Sequence, residues 1–210
     1  GKTDSVAEHP WQTDTCIGGW YYRTGTRYKT VPDIVRMLID IVSKNGNLLL
    51  NIPLHPNGSI DEQEQDILKG LGQWVAINGD GLYGTRPWAI FGEGPSLRKK
   101  AAAHRFGGIA DVEAFRPGDI RFVCKGDTEL FAFLMAWPQT GEITVRSLAT
   151  PYSNEARIDS VKMLGTDKPL EFQHTADGLV VKLPKDQPCE HAWALRITGR
   201  TLHSFSPPQV

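Results

Sequence analysis

The chain has 210 residues, 40% of them apolar, and its acidic and basic side chains balance to a formal net charge of −1. That length suits one large domain or two modest ones. The balance of charge excludes the basic footprint of a nucleic-acid binder or of a protein drawn to an anionic membrane. No apolar run reaches the roughly 20 residues of a membrane helix.

Cys16, Cys124 and Cys189 are widely spaced. They form no CxxC or Cys/His cluster, so no zinc-ligand pattern exists, and an odd count leaves at least one free thiol. No secretory leader opens the chain. Gly1 is not an initiator Met, which leaves a mature form, a processed form and a fragment as readings, and no compartment is indicated. The six tryptophans are expected mostly in cores. Flat aromatic faces also suit a carbohydrate site.

Residues 12–18, "QTDTCIG", predict a short strand, and 19–30, "GWYYRTGTRYKT", a loop rich in glycine and aromatics. Thr30 and Asp33 then form a capping box, and Pro32 falls in the first helical turn, where its missing N–H costs nothing. Ile34, Val35, Leu38, Ile41 and Val42 recur at near 3.6 residues and predict one apolar face. Asn45-Gly46 stops that helix. Next, "NLLLNI" (47–52) is continuously apolar, the pattern of a parallel strand buried on both faces. Pro53 and Pro56 end it. Ser59 or Asp61 caps a second helix, about 61–77, with Ile67, Leu71, Trp74 and Val75 inward. Its acidic cluster Asp61, Glu62, Glu64 and Asp66 reads as a solvated face near the positive end of the helix dipole.

This βαβα order implies a parallel sheet with crossover helices. After about residue 92 the pattern changes. Short alternating runs follow at 119–126, 129–138, 141–149, 157–165, 170–175, 178–184 and 191–199, divided by turns. Asp177-Gly178 is a hairpin mark. These runs predict an antiparallel β-sandwich. The expected division is an α/β part at 1–92, a linker at 93–104 and a sandwich at 105–210. Two strands and two helices cannot close a parallel sheet, because both edges of "NLLLNI" need neighbours. The first region therefore reads as the last βα units of a (β/α)8-like barrel, with the remainder expected upstream or in a second polypeptide.

Three segments, "HPWQTDTCIGGWYY", "YKTVPDIVRMLIDIVSKNGNLLLNIPLHPNGSI" and "LGQWVAINGDGLYGTRPW", resemble the C-terminal part of α-L-fucosidases of glycoside hydrolase family 29. "AFLMAWP" and "VKMLG" extend the resemblance into the sandwich. It implies a catalytic barrel followed by a β-sandwich, and hydrolysis of terminal α-L-fucosyl linkages with retention through two carboxylates. It also implies that the nucleophile and the acid/base lie before Gly1. Many relatives have Trp-Glu where this chain has Trp11-Gln12, and Gln12 cannot donate a proton as an acid. No catalytic carboxylate is assigned within the chain. Asp14 and Glu8 remain weaker acid/base ideas, and no metal or organic cofactor is implied.

The expected partners are a fucosylated glycan or fucoside and the missing barrel portion, with no nucleic acid and no membrane. Trp20 follows the strand on a βα loop, where an indole could cover the apolar face of fucose. Gln12 and Asp14 could bond sugar hydroxyls, and Tyr22 shares the loop with Trp20. His55 and Asn51, near the end of "NLLLNI", read as structural hydrogen-bonders, Asp40 as a paired helix residue, and Trp137 and Trp193 as core. The alternative reading is a non-catalytic carbohydrate-binding or structural module.

Overall fold

The computed structural model describes residues 5–97, 115–150 and 157–203. It begins with the parallel unit β1 (Trp11–Cys16), α1 (Val31–Ser43), β2 (Gly46–Asn51) and α2 (Glu62–Asn78). β1 and β2 pair in parallel from Trp11 opposite Gly46 to Cys16 opposite Asn51. Among the described residues eight antiparallel strands follow: β3 (Arg86–Glu93), β4 (Ile120–Lys125), β5 (Glu129–Leu134), β6 (Glu142–Val145), β7 (Arg157–Met163), β8 (Phe172–Thr175), β9 (Gly178–Lys182) and β10 (Trp193–Arg200). One sheet has the order β3-β4-β5-β10-β7, and the other has the order β6-β9-β8.

The local signals act as their chemistry requires. Asp33 N–H donates to the Thr30 hydroxyl at 3.4 Å, and Thr30 N–H donates back to the Asp33 carboxylate at 3.2 Å. Asp61, rather than Ser59, caps α2, in a second reciprocal box with Glu64. Asn45 takes a left-handed φ of 70°, which ends α1. A Cβ on Gly46 would lie 2.6 Å from the Trp11 ring and 2.7 Å from Ile41, so only glycine lets β2 start there.

Several expectations need correction. The inward face of α1 includes Ile39, which is buried, while Leu38 is only half-buried. The reason is that α1 has two neighbours. Ile34 packs with Ile17, Tyr28 and Ile67 on the parallel side. Val35 and Ile39 pack with Val123, Phe131 and Phe133 of the antiparallel sheet. Glu64 is fully buried rather than solvated, because it folds back to cap its own helix.

β2 is not buried on both faces. Leu48 and Leu50 are half-buried on the helix side, whereas Leu49 is 49% exposed. Residues 86–92 fall in the first region by sequence and residue 93 in the linker, yet β3 hydrogen-bonds to β4 at the edge of the five-stranded sheet. Buried Trp88 stands edge-on to Phe122 in the sandwich core, 5.0 Å between ring centres, which holds this segment there. Trp193 is buried and Trp137 packs against it, edge-on at 5.0 Å. The C-terminal stretch "SFSPPQV" and most of "GEGPSLRKKAAAHRFGG" lie outside the described residues.

Candidate functional site

The two faces of the parallel pair differ in chemistry. Alternation along each strand puts Gln12, Asp14 and Cys16 on one face of β1, and Asn47, Leu49 and Asn51 beside them on β2. That face carries three amides, a carboxylate and one exposed leucine. The opposite face packs on α1 and α2 through Leu50 and Ile52. In a parallel sheet with crossover helices, side chains at the C-terminal ends of the strands build the site.

Gln12 and Asp14 are brought together: the Gln12 amide donates to the Asp14 carboxylate at 2.9 Å, and both are exposed. Asp14 sits two residues below the end of β1, about 7 Å, and Gln12 four residues below, about 13 Å. Asp14 therefore stands nearer the mouth, with Gln12 beneath it, steering its carboxylate.

Beyond Cys16 the chain forms a loop whose base is closed at residues 17 and 29. Lys29 N–H donates to the Ile17 carbonyl at 2.6 Å, and Lys29 Nζ to the Cys16 carbonyl at 2.7 Å. Trp20 and Tyr21 in this loop are each 61% exposed. Arg23 lies over the Tyr21 ring, 4.6 Å from its centre, and bonds its hydroxyl. Tyr22 reaches the loop that follows β2: its ring packs on His55 with centres 3.8 Å apart. Asn51, at the end of β2, donates its amide to the Gly19 carbonyl at 3.4 Å and the Trp20 carbonyl at 3.3 Å.

Tyr28 is the participant that sequence reasoning missed. Its ring is buried, and its hydroxyl donates to Asp61 at 2.8 Å. Burial raises the Tyr28 phenol far above its ordinary value, and the bond to Asp61 adds to that, so it remains a donor. Asp61 is held low, chiefly by the backbone bond from Glu64, against some burial, and then by Tyr28. The loop aromatic two residues before Thr30 was the available signal, but nothing local identifies Asp61 as its partner.

No group of three His, Cys, Asp or Glu side chains among the described residues could hold a metal ion. None of their helices is long and apolar enough to cross a membrane. Glu8 is exposed, and Asp40 is ion-paired on α1, away from this face.

A parallel βαβα unit followed by an antiparallel two-sheet sandwich defines the class. The family model for α-L-fucosidase matches residues 1–80, and the model for the α-L-fucosidase C-terminal domain matches residues 115–198. The chain belongs to the α-L-fucosidase family. It is 28% identical over 204 residues to an α-L-fucosidase of Branchiostoma floridae, covering 92% of this chain and 39% of that protein. With human tissue α-L-fucosidase it shares 27% over 208 residues, with coverages of 94% and 39%. Among solved structures, α-L-fucosidase isoenzyme 1 of Paenibacillus thiaminolyticus superposes with a TM-score of 0.67 at 25% identity, covering 91% of this chain and 40% of that one. A Thermotoga maritima α-fucosidase in complex with a mechanism-based inhibitor gives 0.70 at 25%, with coverages of 92% and 40%. The chain thus spans about two fifths of the length of these relatives.

Proposed function

We propose that this chain is the C-terminal portion of a retaining α-L-fucosidase, which hydrolyses terminal α-L-fucosyl linkages of glycans. In this reading β1 and β2 are the last staves of a (β/α)8-like barrel. The nucleophile and the acid/base come from polypeptide outside the chain, either in the same parent protein or in a separate one. The observation that carries the reading is the unfinished parallel pair. Neither outer edge of β1-β2 has a strand partner among the described residues, and Leu49 stands half-exposed between Asp14 and Asn51. A parallel sheet is stable with both faces covered and its edges paired, so this pair is suited to receive neighbours.

Within that barrel, Trp20 supplies an apolar wall for the fucose ring. Asp14 accepts from a sugar hydroxyl, Gln12 orients Asp14, and Tyr22 braces the rim through His55. The division of the chain follows the same logic, with the barrel portion ending before Arg86 and the sandwich beginning with β3.

The test is an aryl α-L-fucoside assay. The chain alone is expected to give no turnover, and activity is expected when the missing barrel portion is restored by fusion or mixing. Turnover by the chain alone would overturn the placement of the catalytic carboxylates. Saturable L-fucose binding by the isolated chain, with no gain of activity on fusion, would replace this reading with a non-catalytic binding module.

A further inference from the structure

Trp20 has no deep packing to fix it, being 61% exposed. An indole that serves as a sugar wall has to be oriented before substrate arrives, or binding bears the cost of ordering it. The loop that carries Trp20 is fastened at its base by the two Lys29 bonds. Those bonds act on Cys16 and Ile17, short of the tryptophan itself. One described side chain reaches the peptide units on either side of the Trp20 α-carbon: the Asn51 amide, at the Gly19 and Trp20 carbonyls. The Asn51 backbone engages the same segment, since Ile17 N–H donates to the Asn51 carbonyl at 3.1 Å. Asn51 is thus joined to the β1 loop through its carbonyl and its side chain at once.

The two carbonyls need a donor that can face both. An amide Nδ2 carries two protons and fits, while a carboxylate of the same shape would set oxygen against oxygen. The Tyr22–His55 stack ties the same two loops together on the other side of Tyr21. From this geometry we infer that Asn51 is a positioning residue for substrate binding, one that acts by holding the Trp20 peptide so that the indole keeps a fixed aspect over the mouth of the site. The inference rests on the fucosidase reading for what Trp20 contacts. The clasp itself does not depend on it.

The experiment labels the chain with 5-fluorotryptophan and assigns the Trp20 fluorine line by its loss in Trp20→Phe. In Asn51→Ala and in the isosteric Asn51→Asp, the Trp20 line should narrow and move toward the position of the free amino acid, with the other tryptophan lines unmoved. A Trp20 line that stays in place in both variants overturns the inference. If every line moves, the fold has been lost, and Asn51→Ser decides in the same way: with the other lines native, the Trp20 line must still shift. In the completed enzyme, Asn51→Asp should raise KM for an aryl fucoside about tenfold and leave kcat within about threefold. The Trp20→Ala, Asn51→Asp double variant should be no worse than Trp20→Ala alone, because the two act through one contact. Additive losses overturn the inference. A native KM in Trp20→Ala, alongside a shifted fluorine line in the Asn51 variants, sinks the sugar-wall reading and leaves the clasp standing.

Discussion

Removing the Asp40 carboxylate is the perturbation with the largest expected consequence. Asp40 lies on α1 and accepts from Lys44 at 2.7 Å and from Arg121 Nε of β4 at 2.6 Å. The Arg121 side chain is 5% exposed and that of Lys44 is 10%, so Asp40→Ala strands two buried cations side by side. Taking one partner from a buried pair costs about 3–5 kcal/mol, because the other charge is left uncompensated. Two features place this case at the low end. Asp40 is 25% exposed, so water can reach its position. Arg121 also keeps the Ile120 carbonyl at 3.1 Å and the faces of Phe91 and Phe115 at 5.3 and 5.2 Å. We expect about 3 kcal/mol by urea denaturation followed by circular dichroism. The Lys69–Asp66 pair, 67% exposed on both sides, is the control, and Asp66→Ala should cost under about 0.5 kcal/mol. Arg121→Met added to Asp40→Ala should recover much of the loss, since no unpaired guanidinium remains. The pH dependence has a definite sign. Burial resists ionisation of Asp40, but the charges and bonds of Arg121 and Lys44 outweigh it and hold the carboxyl below its ordinary value. Its stabilisation is therefore full above the unfolded value, near about 3.9, and is lost as pH falls through the depressed one. The gap between the native chain and Asp40→Asn should be flat from about pH 5 to 8 and close in stronger acid. A cost below about 1 kcal/mol, or a double variant as unstable as the sum of its parts, refutes the reasoning.

Three further outcomes are expected. Trp20→Ala should leave the thermal midpoint within about 2 °C, because an exposed indole contributes little burial; differential scanning calorimetry checks this, and a large drop would mean that the ring is packed. Gly46→Ala should cost about 1–3 kcal/mol in urea, as its methyl meets the Trp11 ring and Ile41 at under 3 Å, and a neutral result would refute the close approach of helix and strand. The native chain should react slowly with a thiol reagent at pH 8 and fully in urea, since burial raises the Cys124 and Cys189 thiols and Cys16 is also buried; rapid labelling of all three without denaturant would contradict that burial.

What could be read from the sequence was mainly local. Thr30, Asp33 and Pro32 announce α1, Asn45-Gly46 ends it, and Asp177-Gly178 joins β8 to β9, because each depends on chemistry within a few residues. Partners far apart in the chain left no such mark. Arg121 occupies an alternating run where a charged side chain would normally face water, and its carboxylate lies 81 positions earlier. Glu64 carries the same side chain as its exposed neighbour Glu62, and only the reach back to Asp61 buries it. Leu38 and Ile39 could not be ranked by a single-stripe pattern on a helix covered from two directions. At the site, Gln12 and Asp14 were legible as polar candidates on the first strand, but not the bond between them. The stacking of Tyr22 on His55 was not, since it joins two loops whose relative position only the fold sets.

The two-sided burial of α1 also explains a pattern in the antiparallel sheet. β4 and β5 are buried along nearly their whole length instead of at alternate residues. Phe122, Leu130, Ala132 and Leu134 face the three-stranded sheet, as a sandwich requires. Val123, Phe131 and Phe133 point the other way, into Val35, Ile39 and Trp74 of the helices. The Trp74 indole donates to the Ala192 carbonyl at 2.8 Å, and Asn78 accepts from Ala194 N–H at 3.2 Å, so polar bonds fix the same contact. The five-stranded sheet is thus the outer wall of the helices that carry β1 and β2. Without it, α1 would expose Val35 and Ile39, and the support beneath the Trp20 and His55 loops would be lost. The sandwich thus supports, through α1 and α2, the unit that carries these two loops.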